Sequence, residues 1–253
     1  MEAIAAIEQI TRNCYRSFAA LPGAELLDDG GVFGVMSHVP VPFFSGIATT
    51  NINEDEVAAV IDRFREQRCA FRWWVTPSTR PAGLAEMLEA HGMRHAYDAP
   101  GMAADLTALD LEVPLADGVA IRRVDDLTDW LDVLAPVFSW PADEAAIWRD
   151  VYERLGLAED APWTHFVAWL GGKPVATTSL LVGGALAGIY FVATLDEARG
   201  RGIGAAVTRE AMRFARTRGA THAALQSSDL GYRVYRGLGF VDYCNLRLYD
   251  WRP

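Results

Sequence analysis

The chain has 253 residues, 51% apolar and 22% charged, which suits one large or two modest folded domains and excludes a disordered chain. A net charge of −10 argues against a general nucleic-acid binder, which needs a basic face, and is compatible with attracting cationic substrates such as amines. Cys14, Cys69 and Cys244 are odd in number, far apart and in no Cys-x-x-Cys pair, so reduced thiols and no metal site are expected. Met1-Glu2-Ala3-Ile4 lacks the basic start of a signal peptide, and no apolar run approaches the ~20 residues needed to span a bilayer. A cytoplasmic protein with no membrane and no nucleic-acid partner is expected.

In chain order, Ile4–Leu21 reads as a helix. Asn53 can cap a helix over Glu54–Gln67, where Val57, Val60, Ile61 and Phe64 recur at helical spacing. Phe71–Val75 is a strand, and Pro81–Ala90 a helix ending at His91-Gly92, before Met93 and a terminal strand. An apolar stretch, Met102–Leu111, is followed by Pro114 and Gly118, and a domain boundary is placed near Leu111–Gly118. Val119–Val124 is a strand, and Asp125 or Asp126 can cap a helix over Leu127–Phe138. Asp143–Leu155 is helical. Strands Trp163–Leu170, Pro174–Val182 and Ala187–Ala193 are joined by turns at Gly171-Gly172 and Gly183-Gly184. A helix over Ile203–Thr217 ends before Gly219, then come strand His222–Gln226, a short helix Gly231–Leu238 and strand Phe240–Leu248.

Hairpin strands followed by a strand-helix-strand unit predict an α/β (α+β) fold with a mixed sheet. The series helix, strand, polar loop, helix, Gly-Met or Gly-Phe, strand occurs in both halves, which predicts an internal duplication. Only the second half has a glycine-rich turn ahead of its helix.

That turn is Arg199-Gly200-Arg201-Gly202-Ile203-Gly204. Three alternating glycines at a helix start let backbone N–H groups face one concavity, where the helix end adds free donors and partial positive charge. Arg199 and Arg201 add charge in an otherwise acidic chain. A nucleoside-triphosphate loop needs Lys and then Ser or Thr after its last glycine, but Ala205-Ala206 follow here. Gly200-x-Gly202-x-x-Ala205 does fit a dinucleotide pattern. Against that reading, the preceding strand ends near Ala193, and hairpin strands stand where alternating strands and helices are needed.

Arg199-x-x-Gly202-x-Gly204 and, about thirty residues on, Tyr235-x-x-x-Gly239-Phe240 together resemble the Gcn5-related N-acetyltransferase (GNAT) superfamily. The stretch Ile121–Leu248 follows that family's order of elements. The resemblance implies two GNAT-like domains, each a mixed, mostly antiparallel sheet flanked by helices. They are residues 1–112, a degenerate copy without a cofactor turn, and 119–253, the catalytic copy.

The resemblance also implies the roles. Acetyl-CoA is the expected co-substrate, with no metal. Arg199, Gly200, Arg201, Gly202, Ile203 and Gly204 are expected to hold its pyrophosphate. Phe191, Val192 and Ala193 are expected to splay from the next strand and bond the pantetheine arm, with the Val192 N–H as oxyanion donor. Ser227 and Ser228 are expected near the cofactor. Tyr235 is expected to protonate the leaving thiolate, since a phenol of pKa ~10 can donate to it and be reprotonated by solvent. Asp196, Glu197, Glu144 and His165 are candidate bases.

In the family the acceptor lies near Phe138-Ser139-Trp140. The expected acceptor is an amine, small-molecule or peptide, and the expected state a monomer or homodimer. The competing readings are a non-catalytic acyl-CoA sensor and a nicotinamide-dependent oxidoreductase.

Overall fold

The computed structural model describes residues 2–112 and 115–253; Pro114, one of the boundary signals, lies outside the described residues. The elements run α1 (Ala3–Phe18), β1 (Glu25–Asp29), β2 (Val32–Met36), β3 (Gly46–Thr50), α2 (Glu54–Glu66), β4 (Phe71–Val75), α3 (Leu84–Ala90) and β5 (Arg94–Asp105). They continue with β6 (Val119–Val124), α4 (Thr128–Phe138), α5 (Ala142–Leu155), β7 (Trp163–Leu170), β8 (Lys173–Gly183) and β9 (Leu186–Thr194). The last are α6 (Ile203–Thr217), β10 (His222–Gln226), α7 (Asp229–Gly237) and β11 (Val241–Trp251).

Two compact units form, Met1–Gly101 with Asp242–Pro253, and Met102–Val241. In the first, the strand order is β1-β2-β3-β4-β11-β5. Its β1–β2 hairpin turns at Gly30-Gly31, both at positive φ, and β3 runs parallel to β4 only at Gly46–Arg72 and Ile47–Trp73. Helix α2 covers an apolar cluster that includes Val57, Ile61, Phe64, Phe71 and Trp73. Its start is closed by its own side chains. Asn53 Oδ1 accepts from the Glu56 N–H (3.1 Å), and Glu56 Oε2 accepts from the Asn53 N–H (2.9 Å).

The sequence places the final strand with the second half, but Arg247–Trp251 pair antiparallel with Phe71–Val75 in the first unit. A bidentate Arg72–Asp250 pair (2.7 and 2.9 Å) fixes that register. Reciprocally, β5 begins in the first unit and its end, Met102–Asp105, belongs to the second.

In the second unit the order is β5-β10-β9-β8-β7-β6, an antiparallel meander from β6 to β9 with β10 added parallel to β9. The N-cap position of α4 falls to Leu127, whose side chain cannot cap, and Asp126 one residue earlier accepts from the Thr128 N–H through its Oδ1 at 2.8 Å. The apolar face of α6, Ile203, Val207, Ala211, Met212 and Ala215, packs on Phe166, Leu180, Ile189 and Leu225 of the sheet.

Three strands, β1 to β3, are not among the elements expected from the sequence. Two helix starts also differ from expectation. The α3 helix begins at Leu84 behind Gly83, whose φ is 79°, rather than at Pro81. The α7 helix begins at Asp229, because Ser228 accepts the Gly231 N–H (3.2 Å) as cap.

Candidate active site

The parallel pairing of β9 and β10 stops at Gly188–Ala224, so the later residues of β9 diverge from β10. On the opposite edge of β9 the register passes from Ala193 against Thr177 to Tyr190 against Ser179, stepping over Phe191 and Val192. This is a β-bulge, a device that takes an amide out of the ladder and re-aims it. Phe191 sits at φ 50°, a left-handed conformation that is uncommon for a bulky residue and stored mostly at functional sites. The surroundings enforce it. The Thr177 hydroxyl donates to the Phe191 carbonyl (2.9 Å), and the Phe191 ring packs among Trp130, Trp148, Tyr152 and Trp163.

Beyond β9 a single 3-10 turn, Asp196–Ala198, leads into Arg199. Gly200 and Gly202 both have positive φ (75° and 73°), and Gly202 is the residue from which α6 starts. A Cβ added at either would meet no atom within 4 Å, so the face of the turn is open. A Cβ at Gly204 would instead come 2.8 Å from Thr194 Oγ1, so this glycine lets α6 sit against the end of β9. The Ala206 N–H is the first of the helix to reach back, to the Gly202 carbonyl at 2.9 Å. The N–H groups of Ile203, Gly204 and Ala205 therefore have no acceptor within the helix. The first turn of α6 holds no acid, whereas α2 opens with Glu54, Asp55 and Glu56. Exposed Arg201 makes no ion pair among the described residues. Arg199 is turned back on its own loop, on the Thr194 carbonyl (3.1 Å) and Asp196 (2.6 Å).

Tyr235 lies on α7 with Ser228 as cap. Its ring is buried, edge-on to Phe240 (6.0 Å), and rests on Gly231, where a Cβ would fall 2.6 Å from the ring. Burial pushes its phenol above the ordinary tyrosine value, so it stays protonated. Val192, Ala198, Ile203 and Tyr235 belong to one apolar cluster, which brings the bulge, the turn and the phenol into one region. Phe191 packs on the aromatic side instead, and buried Ala193 faces Thr177 in the ladder. Buried Ser227 donates to the Ser228 carbonyl (2.8 Å), so both serines are engaged in shaping the start of α7.

Three contributors escaped sequence reasoning: Thr177, Thr194 and Gly231. Only Gly231 carries a signal, as a glycine inside an expected helix.

Of the candidate bases, exposed Asp196 is tied to Arg199, and exposed Glu197 stands beside it. His165 is buried among Trp130, Tyr152 and Trp163, with Nδ1 on Ser179 Oγ (2.8 Å), which also accepts from the Trp130 indole N–H (3.0 Å). Burial pushes its imidazole down to about 3, so it is neutral in the folded chain and a poor proton acceptor. The unfolded chain takes up that proton near pH 6.5, so it binds more protons than the folded one between these values. Stability is therefore lost as pH falls from about 6.5 towards 3, by up to about 1.4 kcal/mol per pH unit. Urea unfolding at pH 7 and pH 5 should show a smaller loss for His165→Leu than for the native chain. Equal losses would show that His165 does not contribute.

No group of three or more His, Cys, Asp or Glu side chains suited to a metal occurs among the described residues. Nor is any described helix long and apolar enough to cross a membrane.

Residues 125–240 match the model of the acetyltransferase (GNAT) family. No curated protein matches the sequence. Among solved structures, the chain is similar to a GCN5-related N-acetyltransferase from Kribbella flavida, at 20% identity and TM-score 0.72, over 97% of this chain and 95% of that one. It is similar to a functionally unknown conserved protein from Staphylococcus epidermidis, at 13% identity and TM-score 0.68, over 91% and 94%. A tandem GNAT protein from the clavulanic acid biosynthesis pathway aligns at 12% identity and TM-score 0.60, over 97% and 87%. At these identities the neighbours speak for the fold. The family match covers the bulge, the turn and the phenol.

Proposed function

We propose that the chain is an N-acetyltransferase that moves an acetyl group from acetyl-CoA to an amine. The observation that carries this reading is the open glycine turn at the start of α6, whose unbonded N–H groups and acid-free first turn suit a pyrophosphate. The residues fit the co-substrate. The amides of Arg201 to Gly204 would hold the diphosphate, with Arg201 adding charge. The diverging backbone of Phe191 to Ala193 would bond the pantetheine arm. Arg199 holds the loop in shape rather than reaching the ligand. Ser227 and Ser228 act by setting α7, and through it Tyr235.

The chemistry balances with these parts. A neutral amine nitrogen attacks the thioester carbonyl carbon, and the Val192 N–H, in the bulge, would donate to the oxygen where charge develops. The C–N bond forms and the C–S bond breaks. Tyr235 gives its proton to the departing sulfur and regains one from solvent, and the one proton that the nitrogen sheds on becoming an amide goes to solvent. Its raised pKa suits a donor rather than a base.

We further propose that the halves 1–112 and 119–253 are copies and that the first binds no CoA. The capping box of Asn53 and Glu56 takes the donors that a phosphate needs, and Glu54 and Asp55 would repel it. The Trp73 indole N–H also donates to Thr50 Oγ1 (2.8 Å) between β4 and β3, the pair equivalent to β10 and β9. Three thiols outside any disulfide suit a reducing cytoplasm, as monomer or homodimer.

The test is release of free CoA thiol from acetyl-CoA with a library of primary amines. Amine-dependent release is expected for at least one class. Acetyl-CoA binding without turnover on any of them would favour the sensor reading.

A further inference from the structure

We infer that the acceptor is a small cationic amine carried on a flat aromatic body, held by an aromatic ladder and by Glu144. This rests on the acetyltransferase reading and names its substrate class.

Four rings of α4, α5 and the link between them lie nearly parallel. Phe138 stacks on Trp140 (5.3 Å, 19°), Trp140 on Trp148 (4.3 Å, 11°) and Trp148 on Tyr152 (6.3 Å, 20°). The ladder starts in the core and ends in solvent, where Phe138 is 46% exposed. Ser139, between Phe138 and Trp140, is the left-handed residue (φ 55°) that ends α4. A core does not need an exposed phenyl at the end of such a stack, whereas a flat ligand needs such a face.

The ladder also reaches the reaction centre. Phe191, the residue in the bulge, stands edge-on to Trp148 at 5.2 Å and to Tyr152 at 5.9 Å.

Charge completes the case. Glu144 is half-buried in the first turn of α5, and its Oε1 accepts from the Trp148 indole N–H at 3.4 Å. Among the described residues no Lys, Arg or His pairs with it. A carboxylate at a helix start is favoured by the helix dipole. That explains a charge there, and exposed Asp143 already supplies one. It does not explain a second carboxylate drawn against an indole in the ladder. An ammonium group supplies the counter-charge that the carboxylate lacks, and exposed Phe138 at the end of the stack offers its ring to the aromatic body. The net charge of −10 draws such a ligand in.

The test is calorimetric titration of the full chain with 2-phenylethylamine and with spermidine, with and without CoA. The aromatic amine is expected to bind at least tenfold more tightly than spermidine. Phe138→Ala, at an exposed site, and Glu144→Gln, which keeps an acceptor for the Trp148 indole, should each weaken it about five- to tenfold. A preference for spermidine, no binding of phenylethylamine in either condition, or unchanged affinity in both variants would overturn the inference. Acetyl-CoA titrated into the same samples reads the acetyltransferase proposal separately. The variants should bind it as the native chain does, and its failure to bind the native chain would remove that proposal while leaving the amine result standing.

Discussion

Replacing Gly202 with leucine is expected to weaken acetyl-CoA binding about 100-fold, which corresponds to about 2.7 kcal/mol. Two effects add. A side chain at φ 73° strains the backbone by about 1–2 kcal/mol, which disfavours the shape of the turn. The new atoms also project into space that holds no protein atom within 4 Å, the space a phosphate must enter. Gly219→Leu separates strain from obstruction. Gly219 also has positive φ (89°) and open space, but lies past the far end of α6. It should lower stability similarly and leave acetyl-CoA affinity unchanged. Equal affinity in Gly202→Leu and the native chain would remove the turn from the binding site, and equal weakening by both variants would reduce the effect to strain.

Tyr235→Phe is expected to lower kcat about 100-fold, with the KM for acetyl-CoA little changed. The substitution keeps the ring against Gly231 and Phe240, so the fold of α7 is retained. What is lost is a proton that burial keeps on the phenol throughout the working pH range. Steady-state thiol release with a good amine reads this directly. Turnover equal to that of the native enzyme would assign protonation of the sulfur to solvent.

The second half was legible because each element carries its own punctuation. Glycine pairs separate β7, β8 and β9, Gly202 opens α6, and α6 shows unbroken helical spacing. In the first half, β2 is a continuous apolar run, Val32-Phe33-Gly34-Val35-Met36, whose residues are all buried, so no alternation marks it as a strand. The adjoining β1 buries only Leu27. The membership of β11 was hidden for another reason. Its pairing with β4 joins residues such as Arg72 and Asp250 that are far apart in sequence, and no local pattern records such a partner.

The same division applies to the candidate site. The turn and Tyr235 are visible as spacings. The bulge at Phe191 is not, because it arises from register against β8 and from the Thr177 hydroxyl. Trp148 is visible only as a large apolar residue until its ring is seen to stack on Trp140, which the resemblance alone places near the acceptor.

The titration that measures the Gly202 variant also bears on the central claim when the native chain is in the cell. Acetyl-CoA should bind saturably with one site per chain, and NADH should give no binding heat. One site is expected because the glycine turn at α6 leaves its first N–H groups unbonded beside an acid-free first turn, while α2, its counterpart in the first half, is capped by Asn53 and Glu56. Binding of NADH without binding of acetyl-CoA would contradict the account, returning Gly200-x-Gly202-x-x-Ala205 to the dinucleotide reading.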